Sequence, residues 1–380
     1  MTGIDYGRFP SPCYILDESR LRANLALIDR VQREAGVEII LAFKGFAMWK
    51  VFPIVREYLP GATASSLHEA RLCFEEMGVP AHTYSVAYIP EEFEEILGYS
   101  SHLTFNSLSQ YRRHRDQVLA QGGKISMGLR VNPEYSDVAT ELYNPASPHS
   151  RLGVTAEHLA DGLPADIEGL HFHTLCESDS NALEELLEHF EARFGHLLGQ
   201  IQWVNMGGGH LMTRSGYDVD HLIAVLKGFR EKHGVKVILE PGSAIAWTAG
   251  ELKSTVLDIV ENNGIRTALL DVSFTAHMPD TLEMPYRPRV LGAGEPGQDT
   301  HDYRLGGTSC LAGDFHTEYG FPEPLEPGSQ VLFSDMIHYT MVKTTTFNGV
   351  RHPSIGVWTS AGEARVIREF DYSDFKRRLS

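Results

Sequence analysis

Residues 38–45 read EIILAFKG, a strand-favouring run that ends on a lysine and a glycine. Lys44 either marks where a strand meets solvent, as most lysines do, or presents a reactive amine at a strand end, where enzymes place lysines that condense with carbonyl groups. Three more strand-like runs end on residues that carry chemistry. LHFHTLCE holds His171 and His173, two apart and so on one face of an extended chain. They read as hydrogen-bonded rim histidines or as flat rings for stacking; no third residue at sensible spacing completes a zinc site. VNMGGGH holds Gly207, Gly208 and Gly209, whose bare N–H groups suit a phosphate as well as a plain turn. ILEPGS holds Glu240, Gly242 and Ser243, with a carboxylate that either faces water or holds a proton on a ring nitrogen. A condensing lysine, a phosphate cradle, a stacking imidazole and a carboxylate together describe a site for pyridoxal phosphate, with no metal.

The elements that must position these residues alternate. β-rich runs occur at 37–43, 61–65, 82–86, 102–106, 124–131, 167–173, 201–206 and 235–240, with helical patterns between most of them. SRLRANLALIDRVQREAG places Leu21, Leu25, Ile28 and Val31 on one stripe, and SDSN supplies cap-type residues before a second amphipathic run. Eight buried strands alternating with helices predict a (β/α)8 barrel, here over residues 15–245, with active-site residues at the strand ends. From about residue 250 Gly, Pro and Thr rise, and STVLDIVEN, TALLDVSF, SQVLFSD and HPSIGVW read as strands. Residues 246–380, joined by 1–14 with the β-leaning CYIL, are expected to form a mainly β domain.

The 380 residues, 42% of them hydrophobic, suffice for one large or two ordinary domains. No apolar run is long enough to span a membrane, and no signal peptide is visible at the start. Four scattered cysteines without a CxxC pair suggest neither a disulfide framework nor a zinc knuckle and fit a cytoplasmic setting. The formal charge of −17, from 33 basic and 50 acidic residues, argues against nucleic acid. It would help steer a polycation, but many acidic proteins do no such thing.

AFKG, HFHTLCE, NMGGGH and LEPGSAIAW resemble the alanine-racemase-fold (fold type III) pyridoxal phosphate decarboxylases, which include ornithine and diaminopimelate decarboxylases. DVSFTAHMPDTLEMPYRP, YRLGGTSCLAGD and HYTMVKTTTFNG look like the carboxynorspermidine/carboxyspermidine decarboxylases, over nearly the whole chain. The resemblance implies a pyridoxal phosphate barrel followed by a β domain, a homodimer, and conversion of a carboxypolyamine to the polyamine and carbon dioxide. It further implies that Lys44 carries the cofactor, His173 stacks on its ring, Gly207, Gly208 and Gly209 hold its phosphate with Gly242 and Ser243 nearby, and Glu240 meets its ring nitrogen. Tyr339 matches a tyrosine that reaches the phosphate. Cys310 and Asp314 match a loop that enters the partner subunit's site, Cys310 to protonate the α-carbon and Asp314 to pair with a substrate amine. Many relatives carry an arginine phosphate anchor where Ser243 stands, so hydroxyl and backbone donors are expected to serve instead. Without the resemblance, Cys310 reads as a small buried hydrophobe.

Asp280, Glu283, His277 and Arg287 crowd one polar stretch that reads as substrate-binding, Arg287 for a carboxylate and the acids for amines, or as a solvated loop. His68, Glu69 and Arg71 read as structural residues at a helix start. The rivals are diaminopimelate or another basic amino-acid decarboxylase, an amino-acid racemase of the same fold, and a non-catalytic pyridoxal phosphate-binding or regulatory homologue.

Overall fold

Leu21, Leu25, Ile28 and Val31 have no solvent exposure and form the inner face of the helix Glu18–Ala35. The computed structural model describes residues 3–138, 144–147, 149–298 and 301–380. The chain divides into two compact units, Asn24–Ile245, and Met1–Ala23 with Ala246–Ser380.

The first of these is a parallel barrel. Its strands are Ala62–Ala64, Ala81–Tyr84, Ser100–Phe105, Ser126–Arg130, Gly169–His171, Trp203–Asn205 and Lys236–Leu239, together with one run split at Ile40 into Glu38–Ile39 and Leu41–Ala42. That split run closes the ring. Glu38–Ile39 pairs with Lys236–Leu239, and Leu41–Ala42 pairs with Ala62–Ala64, all in parallel. The eight predicted runs are therefore the barrel strands. Intervening helices start on side chains that take up otherwise unpaired backbone N–H groups: Ser66, Ser107, Asp179 and Asp218 each accept one or more. Asp179 is the cap that SDSN promised.

Side chains alternate across each strand, so one residue type every second position fills the interior. Tyr84 and His171 meet edge to face at 5.3 Å although their strands are not neighbours, which only an inward direction allows. One layer below, the ring of Trp203 lies across Gly169 and Gly128. A Cβ on Gly169 would come within 2.0 Å of that ring, and on Gly128 within 2.3 Å, so no larger residue fits there. The imidazoles of His82 and His102 sit 3.8 Å apart beside it, with His102 5.5 Å from Trp203.

Burial, with Lys236 adding repulsion, pushes His102 down to about 4, and burial pushes His82 well below the ordinary histidine range. Both are held neutral in the fold and take up protons when it opens. Their stabilising effect is complete above the unfolded-state value of 6.5 and is lost as pH falls toward 4. For His102 alone the loss is about 2 kcal/mol at pH 5. The melting temperature should therefore fall between pH 7 and pH 5, and fall less in His102→Phe. An equal fall in both proteins would remove the histidine pair as its cause.

The other unit is a twisted sheet. Its order is Phe315–Phe321, His301–Gly306, Ile265–Leu270, Gly250–Asn262, Cys13–Asp17, Ser354–Trp358 and Ala364–Arg368, with Gln330–Ser334 also paired to Gly250–Asn262. Cys13–Asp17 is wholly buried and central, antiparallel to Gly250–Asn262 and parallel to Ser354–Trp358. His301–Gly306, Phe315–Phe321 and Ala364–Arg368 carry no apolar run that marks them in the sequence, because much of their length stays accessible to solvent.

Candidate active site

Lys44 lies in the turn just beyond Leu41–Ala42, at the mouth of the barrel. The glycine after it is needed for contact. A Cβ on Gly45 would be 2.7 Å from the Cα of Gly242, so this turn packs directly on the Pro241-Gly242 segment beyond the eighth strand. Lys44 Nζ is 3.0 Å from His173 Nε2. His173 Nδ1 accepts the Gly208 N–H at 3.0 Å, and its carbonyl accepts Arg130 Nη2–H at 3.0 Å.

These contacts fix proton positions. Burial, then Lys44 and Arg130, push His173 well below the ordinary histidine range, so its ring is neutral. With Nδ1 accepting, the ring proton sits on Nε2 and points at Lys44, whose nitrogen must offer a lone pair. The pKa of Lys44 is lowered by desolvation and then by Arg130, against the opposing pull of Glu240, Cys176 and Glu69. More than a third of the lysine surface remains open to water, which tempers the shift but leaves its direction. The hydrogen-bond geometry favours a lone pair on Lys44 facing His173, and the electrostatics lower the pKa of this amine, which raises its share of the nucleophilic form.

Glu240, with a side chain 11% exposed, has its pKa raised by burial. Asn205 Nδ2 donates to its Oε1 at 2.6 Å, and His171 Nε2 is 3.7 Å from its Oε2. Arg130, 5% exposed, lies 4.8 Å over the ring of Tyr84, which donates its hydroxyl to Asn106 Oδ1 at 2.8 Å.

The glycine triad differs from the expected open cradle. Gly207 N–H donates to Asn205 Oδ1 at 2.9 Å, so with Gly208 on His173 two of the three donors are already used within the protein. The glycines are demanded by packing: Gly207 has φ +69°, and a Cβ there would be 2.6 Å from His173 Cβ. Ser243 opens the short helix Ser243–Ala246 beside Gly242. Glu69 stands at a helix start, as read for His68, Glu69 and Arg71: Ser66 Oγ accepts Glu69 N–H at 3.3 Å, and Glu69 Oε2 accepts Ser65 N–H at 2.6 Å.

Thus Lys44, His173, Gly207, Gly208, Gly209, Glu240, Gly242 and Ser243 come together in the barrel unit. Arg130, Asn205 and Tyr84 belong to the same cluster and were missed. Arg130 and Tyr84 end strands that no motif marks, and Asn205 lies within VNMGGGH.

Cys310, Asp314, Tyr339, His277, Asp280, Glu283 and Arg287 lie in the sheet unit. There the three most specific motifs knit into one cluster. Thr345 N–H donates to the Ala276 carbonyl at 2.7 Å, Thr340 Oγ1 to Asp280 Oδ2 at 2.8 Å, and Lys343 pairs with the exposed Glu283. Cys310 is exposed, and its N–H donates to Asn348 Oδ1 at 2.8 Å. Tyr339 opens the short helix Tyr339–Val342.

Several expected substrate contacts are employed otherwise. Asp314 is 5% exposed; its Oδ1 accepts Thr275 N–H at 3.1 Å and its Oδ2 accepts Ser309 N–H at 3.0 Å, so it braces the loop that carries Cys310. Arg287 lies 4.1 Å over the ring of Tyr319, pairs with Glu295 and donates to the carbonyls of Gly294 and Glu318, which occupies the guanidinium expected to hold a carboxylate. His277 is fully buried, accepts Ser273 N–H on Nδ1 at 3.1 Å, and is pushed down to about 3 by burial. Among the described residues Asp280 keeps a buried carboxylate oxygen, Oδ1, with no hydrogen-bond partner.

A strand-end amine of lowered pKa, an imidazole at its side and a largely buried carboxylate fit pyridoxal phosphate, and the barrel followed by a sheet defines the class. The family described as "Pyridoxal-dependent decarboxylase, C-terminal sheet domain" matches residues 13–337. The chain belongs to this family and is a pyridoxal phosphate-dependent decarboxylase. It is 53% identical to the carboxyaminopropylagmatine decarboxylase of Synechocystis sp., over 97% of this chain and 95% of that one. It is 45% identical to the carboxynorspermidine/carboxyspermidine decarboxylase of Campylobacter jejuni subsp. jejuni, over 98% and 99%. The crystal structure of carboxynorspermidine decarboxylase complexed with norspermidine from Campylobacter jejuni superposes with a TM-score of 0.90, at 43% identity over 97% of this chain and 99% of that chain. No helix among the described residues is long and apolar enough to cross a membrane.

Proposed function

We propose that this chain removes the carboxyl group from a carboxypolyamine, carboxynorspermidine or carboxyspermidine, in polyamine biosynthesis in the cytoplasm, acting as a homodimer. The single observation that carries the substrate reading is near-full-length similarity to decarboxylases named for carboxyaminopropylagmatine and for carboxynorspermidine or carboxyspermidine. The relative at 53% identity acts on a carboxyaminopropyl derivative of agmatine, so a guanidino tail in place of the terminal amine is the second reading.

When bound, pyridoxal phosphate supplies the electron sink that makes loss of carbon dioxide accessible. Lys44 would supply the amine that holds the cofactor, its pKa lowered by desolvation and Arg130. His173 offers its ring face, and Glu240 holds a proton at the cofactor's ring nitrogen. Gly209, Gly242, Ser243 and Tyr339 are assigned to the phosphate, with the turn of Gly207 and Gly208 shaping that corner. Cys310 delivers a proton to the α-carbon. Asp280, through its unpartnered Oδ1, takes a substrate amine, and Glu283 exchanges Lys343 for another cation.

The dimer reading is supported by the exposed apolar side chains Leu311, Phe315 and Phe347 around the Cys310 loop and its Asn348 brace. Carbon dioxide release should be measured with carboxynorspermidine, carboxyspermidine, carboxyaminopropylagmatine, diaminopimelate, ornithine and arginine. One of the first two should turn over fastest. Fastest turnover of carboxyaminopropylagmatine would establish the guanidino reading. Preference for diaminopimelate, ornithine or arginine would overturn both, and no release from any of them would favour a binding or regulatory role.

A further inference from the structure

We infer that Asn205 is a positioning residue that fixes the carboxylate of Glu240 and ties it to the Gly207 turn. The inference rests on the reading of Glu240 as the cofactor's ring-nitrogen partner, and deepens it.

Asn205 ends the strand Trp203–Asn205, is 4% exposed, and is used at both ends of its amide. Nδ2 donates to Glu240 Oε1 at 2.6 Å, and Oδ1 accepts Gly207 N–H at 2.9 Å. A backbone N–H can only donate and a carboxylate can only accept when ionised, so the amide has one orientation that satisfies both neighbours. Only an amide of this length offers a donor and an acceptor side by side: an acid loses the donor, and an apolar residue loses both.

The same turn holds the imidazole. Gly207 packs against His173 Cβ, and Gly208 N–H binds His173 Nδ1, so Asn205 links the carboxylate to the element that seats the ring next to Lys44. The groups facing Glu240 are Asn205, Thr63, Lys44, Arg130 and His171. Burial favours the uncharged acid, and the Asn205 hydrogen bond is the largest of the influences that favour the carboxylate.

Asn205→Asp keeps the shape and the acceptor for Gly207 but replaces the donor by a second carboxylate against Glu240. An acid whose folded pKa is raised above its unfolded value loses stability as pH rises. In the full-length chain without pyridoxal phosphate, the melting-temperature deficit of Asn205→Asp should grow by several degrees between pH 5.5 and pH 8. In a Glu240→Gln background that growth should vanish, because the new amide can donate to the new acid. Asn205→Ala, which adds neither bulk nor charge, should show the same sign at smaller size and carries the test if the acid variant does not fold. With pyridoxal phosphate restored, Asn205→Ala should lose turnover by more than it loses cofactor occupancy. Deficits equal at both pH values in both variants, or growth that persists with Gln at position 240, would overturn the inference. The melts need no cofactor and no substrate, so their failure is distinct from failure of the decarboxylase reading, which carbon dioxide release decides.

Discussion

Lys44→Ala should fold normally and lose the covalently held cofactor. The native protein should show the visible absorbance of bound pyridoxal phosphate, and borohydride should fix the cofactor on a peptide containing Lys44. The variant should show neither, and its turnover should fall on the order of a thousandfold or more. The physical basis is the ring polarity of His173. Gly208 N–H occupies Nδ1, so Nε2 turns toward the Lys44 nitrogen at 3.0 Å and favours its lone pair there. Desolvation and Arg130 both lower the pKa of this amine, so a larger fraction is neutral at neutral pH than for an ordinary lysine. Arg130→Met should therefore shift the pH at which the cofactor attaches upward. A borohydride label on another lysine, or retained absorbance in Lys44→Ala, would remove Lys44 from its role.

The second large effect is complementation. Lys44→Ala and Cys310→Ala should each be nearly inactive, yet a freely exchanged mixture should recover to roughly a quarter of wild-type activity, by the symmetry of a closed dimer. If each site combines Lys44 of one chain with Cys310 of the other, half of the dimers are mixed. In each mixed dimer one site receives both substitutions and the other receives neither. If both residues belong to one chain's own site, every site carries a defect and mixing restores nothing. Exchange has to be shown with mass-tagged subunits, since a dimer that never dissociates would also stay silent. Exchange without recovery would overturn the shared site.

The barrel was legible in the sequence because its strands are buried on both faces. Runs such as VEIILAF and VKVILE stand out from the amphipathic helices between them, and Lys44, His173, Glu240 and the glycine triad each follow such a run. The half-exposed strands His301–Gly306, Phe315–Phe321 and Ala364–Arg368 left no such mark, because a strand that keeps charged residues on its accessible positions has no apolar run to find.

What each side chain does was decided by its neighbours in space. Sequence spacing brought Asp280, Glu283, His277 and Arg287 to notice as one polar stretch, yet Tyr319 and Glu295 occupy Arg287, Ser273 and full burial enclose His277, and Lys343 occupies Glu283. The triad's glycines were legible as glycines, but the direction of their N–H groups depends on Asn205 Oδ1 and His173 Nδ1. By itself the sequence determined the strand ends and the residue types on them, since local pattern and burial set both. Which of those groups keep a free hydrogen-bonding atom, and which protonation state they hold, only the tertiary structure decided. Those properties arise from contacts made across the barrel between residues far apart in the chain, such as Lys44 with His173 and Asn205 with Glu240.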